Sequence, residues 1–135
     1  MKRKINIGII AVVALFFASC TAQSRLATRI SAEWEIEKYE NRTAGGSISS
    51  IENAGTITFN NNGRGTQSFT TAIAHGGHSS GSDFRWTNTA NTVSITSQEA
   101  QFPKVWIIVE SGRSKQKWYS TDSEGNVQVM DLKKK

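Results

Sequence analysis

From Ala32 onward, apolar residues recur at every second position instead of every third and fourth. Strict alternation is the period of a half-buried β-strand, because successive side chains leave opposite faces of an extended backbone. Ala32, Trp34 and Ile36 alternate with three glutamates, Ile57 and Phe59 with threonines and Asn60, and Phe69, Thr71 and Ile73 share a face with Gln67. Phe84 and Trp86 alternate with Asp83 and Arg85, and Val93 and Ile95 with Thr92, Ser94 and Thr96. Val105 to Val109 is apolar throughout and reads as the most buried strand, either covered on both faces or with Trp106 and Ile108 lining one side and Val105, Ile107 and Val109 the other. Lys115, Lys117 and Tyr119 then alternate with Gln116 and Trp118, and Val127, Val129, Met130 and Leu132 close the series. The pattern predicts eight strands.

The breaks between them are turn chemistry. Asn61-Asn62-Gly63-Arg64-Gly65, Asn88-Thr89-Ala90-Asn91, Ser111-Gly112-Arg113 and Asp122-Ser123-Glu124-Gly125-Asn126 all offer residues that tolerate positive φ. Short hairpins pair each strand with the next, and an open sheet of eight would leave two unpaired edges. Pairing the first strand with the last removes both, so the fold class is all-β, an eight-stranded antiparallel up-and-down barrel, with a two-sheet sandwich as the alternative. The longer connections, Asn41 to Ala54 and His75 to Ser82, are expected at one end of the barrel, as its mouth. Trp34, Phe59, Phe84, Trp86 and Trp106 are the candidate wall of a cavity for a small apolar molecule, against plain core packing as the bland reading. Trp118, flanked by Lys117, reads as an outward aromatic suited to a sugar or protein contact, or as a lid over the barrel end.

Residues 1 to 31 follow a different rule. Lys2, Arg3 and Lys4 precede an apolar run from Ile5 to Phe17, and Ala18-Ser19-Cys20 follows. That order is the one of an export signal, and the run is short of the ~20 residues of a spanning helix. The triplet resembles the lipobox of bacterial lipoproteins, which implies a signal peptide of residues 1–19 and a lipid on Cys20. Residues 20–31 are then expected as a lipidated tether, with room for a short helical turn around Arg25 to Ile30, and 32–135 as one barrel domain. Cys20 is the single cysteine, so no intramolecular disulfide is available and stability must come from packing. Loss of Lys2, Arg3 and Lys4 with the signal takes the formal charge from +5 to +2. Nucleic acid is therefore no expected partner, and Lys133-Lys134-Lys135 reads as a solvated tail.

The order of motifs carries a resemblance: the lipobox, Trp34 in the first strand, the Gly55-Thr56-Ile57-Thr58-Phe59 hairpin strand with Gly63 and Gly65-Thr66, the Phe84-Arg85-Trp86 strand and the closing Leu132-Lys133-Lys134. Together they resemble the small lipocalin-like lipoproteins of Gram-negative bacteria. True lipocalins open with a G-x-W signature, and Ala32-Glu33-Trp34 lacks its glycine, which marks a relative. The resemblance implies a calycin-type barrel with room for an apolar small molecule. It also implies an outer-membrane lipoprotein, held by its lipid anchor and facing the periplasm, since no acidic run follows Cys20.

Candidate chemistry is sparse. His75 and His78 lie three residues apart and could chelate a metal if Asp83 joined them, although a Gly-Ser loop with two polar histidines needs none. No nucleophile elbow, zinc-protease motif or phosphate loop is present, so neither catalysis nor a cofactor is expected. The reading is thus an envelope lipoprotein that binds or carries a small apolar molecule. Its alternative is a filled barrel that presents its loops to a protein or glycan partner.

Overall fold

A computed structural model describes residues 21–69, 82–97 and 104–135. The signal residues 1–19, Cys20, His75 and His78 lie outside the described residues, as does most of the connection from His75 to Ser82. Eight strands follow a helix of residues 21–30. They are β1 (Glu33–Arg42), β2 (Ile48–Phe59), β3 (Arg64–Phe69) and β4 (Ser82–Asn88). β5 (Thr92–Ser97), β6 (Lys104–Ser111), β7 (Lys115–Thr121) and β8 (Val127–Lys134) complete the set. Each pairs antiparallel with the next, and β1 pairs with β8 from Trp34 opposite Lys134 to Arg42 opposite Val127, which closes the barrel. The sandwich alternative is excluded, because no edge remains to divide two sheets.

β1 and β2 are longer than their alternation suggests. Most of the expected loop from Asn41 to Ala54 is strand, and only residues 43–47 connect the two. Register slips on both sides of β1 between Ile36 and Lys38, so the strand carries a bulge and bends there. Beyond the bulge Tyr39 and Asn41 face inward while Lys38, Glu40 and Arg42 face outward. The polar stretch of β1 stays extended because its backbone is paired on both sides, with β2 and with β8, and that of β2 because it is paired with β1, which period-two reading of side chains does not register. Gly63 and Gly125 turn their hairpins at φ +81° each, a conformation closed to most residues with a side chain.

For β6 the one-sided arrangement is the one found, so it is not the most buried strand, and the outward facing of Trp118 is reversed. The outer side chains of β6 are open to solvent, Val105 at 46%, Ile107 at 54% and Val109 at 54% exposure, whereas Trp106 is buried. β6 is therefore covered on one face only, because among the described residues no second layer packs on its outer side chains. Trp118 is neither outward nor a lid, being fully buried on the inner face of β7 with its Nε1 donating to Gln116 Oε1 at 3.1 Å.

The helical turn expected around Arg25 to Ile30 is longer than that, and it is docked on the barrel in place of a free tether. Residues 21–30 form a helix whose Leu26 and Ile30 lie in the same core as Trp34, Phe59 and Leu132. Gln23 and Asn88 exchange hydrogen bonds of 2.8 and 2.9 Å, Arg29 donates to the Ser111 carbonyl, and the indole of Trp34 donates to the Ile30 carbonyl. All these partners stand at the end of the barrel where β1 begins, so the helix closes that end. The connections 43–47 and 122–126, and the ends of the strands that bound residues 70–81 and 98–103, define the opposite end.

Candidate ligand-binding site

The two ends of the barrel differ in filling. Near the helix, Phe59 stands among aromatic neighbours, with ring centroids 5.4 Å from each of Phe84, Trp86 and Trp118. Edge-to-face and tilted contacts of this kind fill space densely and add to simple burial. Trp34, Phe59, Phe84, Trp86 and Trp106 all face inward and are buried. The first four meet around Phe59 and Ile30 as the packed floor. Trp106 is placed differently, because it leans on Trp118 at 6.5 Å and on Tyr39 at 6.5 Å, and Tyr39 begins the opposite half. Among the described residues every buried side-chain nitrogen or oxygen has a hydrogen-bond partner.

Toward the opposite end, inward-facing side chains are only partly buried. Tyr39, Ile51, Phe69 and Ile95 pack on the core from above yet keep accessible surface. These four side chains form a half-buried apolar layer on the inner faces near that rim. Polar groups stand beside it. Lys104 lies opposite Ile95 in the ladder, holds its Nζ 5.1 Å from the centroid of Trp106 and donates to Gln128 Oε1 at 3.1 Å. Gln128 in turn donates to Asn41 Oδ1 at 3.1 Å and to Asp122 Oδ2 at 3.3 Å. Burial pulls the Lys104 ammonium below the ordinary lysine range, against the pull of Asp122 upward. Burial, seconded by the Asp122 charge, pushes the Tyr39 phenol up to about 12. The arrangement is a cation and a neutral phenol beside an aromatic ring, all on inner faces.

Lys104 escaped the period-two reading because it borders an apolar run and looks like its solvated flank. Its spacing of two from Trp106 was the available signal. Tyr39, Asn41 and Gln128 were hidden by the bulge in β1 and by the pairing of the two strands most distant in sequence. Asp83 lies on the exposed face of β4, and among the described residues no three His, Cys, Asp or Glu side chains converge.

The sequence matches the family model for a lipocalin-like domain over residues 30–119. Among solved structures, a redesigned β-barrel superposes with a TM-score of 0.52 at 15% identity, covering 82% of this chain and 96% of that one. An uncharacterized protein from Bacteroides eggerthii superposes with a TM-score of 0.52 at 11% identity, covering 78% of this chain and 99% of that one. At these identities the likeness is one of fold. No curated protein matches the chain.

Proposed function

This chain belongs to the lipocalin-like domain family, and from that premise we propose that it binds a small apolar molecule in the open half of its barrel, as an outer-membrane lipoprotein of the cell envelope. The observation that carries the reading is the partial exposure of Tyr39, Ile51, Phe69 and Ile95 on inner faces, where a packed barrel would bury them. An apolar body would cover these side chains, and a polar or acidic group would meet Lys104, whose only hydrogen-bond partner among the described residues is a neutral amide. Such a group would offset the desolvation of the ammonium. The reading is one of binding without a catalytic step, as is typical of this fold.

Lipidation of Cys20 belongs to the same proposal. The helix begins one residue after Cys20 and is docked on the barrel, so a lipid there would hold the helix-closed end against the bilayer and leave the other end facing away. Two or more acyl chains would suffice for stable anchoring, at ~0.8 kcal/mol per buried methylene. Cys20→Ala should abolish incorporation of labelled palmitate and move the protein from the outer-membrane fraction to the soluble periplasmic one.

The test of binding is uptake of an anionic apolar dye, read by quenching of tryptophan fluorescence, together with mass spectrometry of organic extracts of the gently purified protein. Saturable uptake that Lys104→Met weakens about tenfold, the loss of one charge-assisted contact, is the expected result. A clean extract with no dye uptake would overturn it. That outcome would favour the filled barrel as an interaction module, a reading supported by the exposed apolar row of Val105, Ile107 and Val109 on β6.

A further inference from the structure

The outer surface of the barrel carries a groove of about 480 Å³ across β3, β4 and β5. Arg64 and Arg85 stand directly opposite each other in the β3–β4 ladder, and Arg85 is opposite Thr96 on its other side. The neighbouring Trp86 donates its backbone N–H to the Gly63 carbonyl at 2.9 Å, which makes Gly63 and Trp86 a hydrogen-bonded pair. Ladder positions alternate, so Arg64 and Arg85 form a non-hydrogen-bonded pair, the kind that brings side chains closest. Like charges in that position are destabilising. Yet among the described residues neither guanidinium has an ion-pair or hydrogen-bond partner, although Asp83 lines the same groove two residues away from Arg85.

The support beneath the pair is rigid. The indole Nε1 of Trp86 donates to the carbonyls of both Asn60 and Arg64 at 3.0 Å, and the Arg64 N–H donates to Asn62 Oδ1 at 3.1 Å. The backbone that carries Arg64 is thereby tied to a buried ring, while its side chain is exposed. Two guanidinium forks on adjacent strands, with no ion-pair contact to either among the described residues, form a receptor for oxygens. A carboxylate has two and satisfies one planar fork; a tetrahedral oxyanion has enough for both. Thr66 and Thr96 add hydroxyl donors at the margin.

We propose that this groove binds a phosphate-type oxyanion, with Arg64 and Arg85 forking onto its oxygens and Thr66 and Thr96 at its margin. Asp83 weakens the site for a bare anion and suits it to a phosphoester whose hydroxyl groups the carboxylate can accept. The turn of residues 60–63 bounds the groove on the helix-closed side, and Asp83 and Ser97 bound it toward the other end. If the helix-closed end faces the bilayer, as proposed above, a lipid headgroup is one source of the phosphate, and a soluble phosphoester is the other. The anion site itself rests only on the groove.

Isothermal titration and thermal shift with inorganic phosphate, set against sodium chloride at equal ionic strength, test it on the purified protein. Phosphate should bind with a rise in unfolding midpoint that chloride does not reproduce. Arg64→Gln and Arg85→Gln should each weaken binding at least about tenfold. Asp83→Asn should tighten it, a gain that impaired folding cannot mimic. Lys117→Gln, on a remote outer face, should leave it unchanged. Binding by the arginine variants as tight as by the unmodified protein, or equal stabilisation by chloride, would overturn the proposal. The source is read with Cys20→Ala protein and vesicles of phosphatidylglycerol or phosphatidylcholine. Arginine-dependent sedimentation with the vesicles that inorganic phosphate competes away identifies a headgroup, and phosphate binding without sedimentation identifies a soluble ligand.

Discussion

Gly65 has no side chain because the ring of Phe84, its partner across the β3–β4 ladder, occupies the place where one would start. A methyl group there would overlap that ring and lie 2.5 Å from the carbonyl oxygen of Thr58. The ring is itself held against Phe59, so neither neighbour can give way freely. Gly65→Ala should therefore cost about 1–3 kcal/mol, the range for overpacking a dense core, measured by urea unfolding. Tyr39 permits a prediction of different kind. Its phenol is pushed up to about 12, first by burial and then by Asp122. An acid whose folded pKa exceeds the unfolded value of 10.0 keeps its full contribution below pH 10. That contribution is lost as pH rises from about 10 to about 12, because the unfolded chain releases the proton first. Absorbance titration should show a late tyrosinate phase that Tyr39→Phe removes, with a shallower alkaline loss of stability in the same variant.

At the scale of elements, the helix of residues 21–30 and strand β6 invert what local pattern suggests about which apolar residues matter. Ile30 sits in a stretch with no evident strand alternation, yet it is fully buried beneath Trp34. Ile107 sits in the most apolar run of the folded domain, yet its side chain faces solvent. Ile30→Ala should lower stability by about 2–5 kcal/mol, as core truncations do, whereas Ile107→Thr should change it by less than about 0.5 kcal/mol. Paired denaturation curves settle the comparison; a larger effect at Ile107 than at Ile30 would mean that β6 is covered and the helix is not docked. The same contrast bears on location. A docked helix leaves no slack between Cys20 and the barrel, so lipidation at Cys20 would place the folded domain at the membrane surface, where a flexible tether would let it wander.

For the molecule as a whole, closure is the decisive property. β1 and β8 are the strands farthest apart in sequence, and their ladder removes the last exposed edges and completes the core. All four tryptophans lie in that one core, so their fluorescence should report the same transition as far-ultraviolet circular dichroism, with coincident midpoints in urea. Separate transitions would show that the barrel has two independently stable parts. The strand number, the hairpin order and the inward set of Trp34, Phe59, Phe84 and Trp86 were determined by the sequence alone, because period two and turn residues with positive φ act over a few neighbours. Trp118 and Val105 to Val109 were not. Their runs are polar or apolar on both faces, and which face turns inward is chosen by the partner strands and the closed geometry. Lys104 beside Gln128, and Arg64 opposite Arg85, likewise exist as pairs only once remote segments are brought into register. Local chemistry wrote the strands of this protein; only the long-range pairing of its backbone decided which side chains share a space that a ligand could enter.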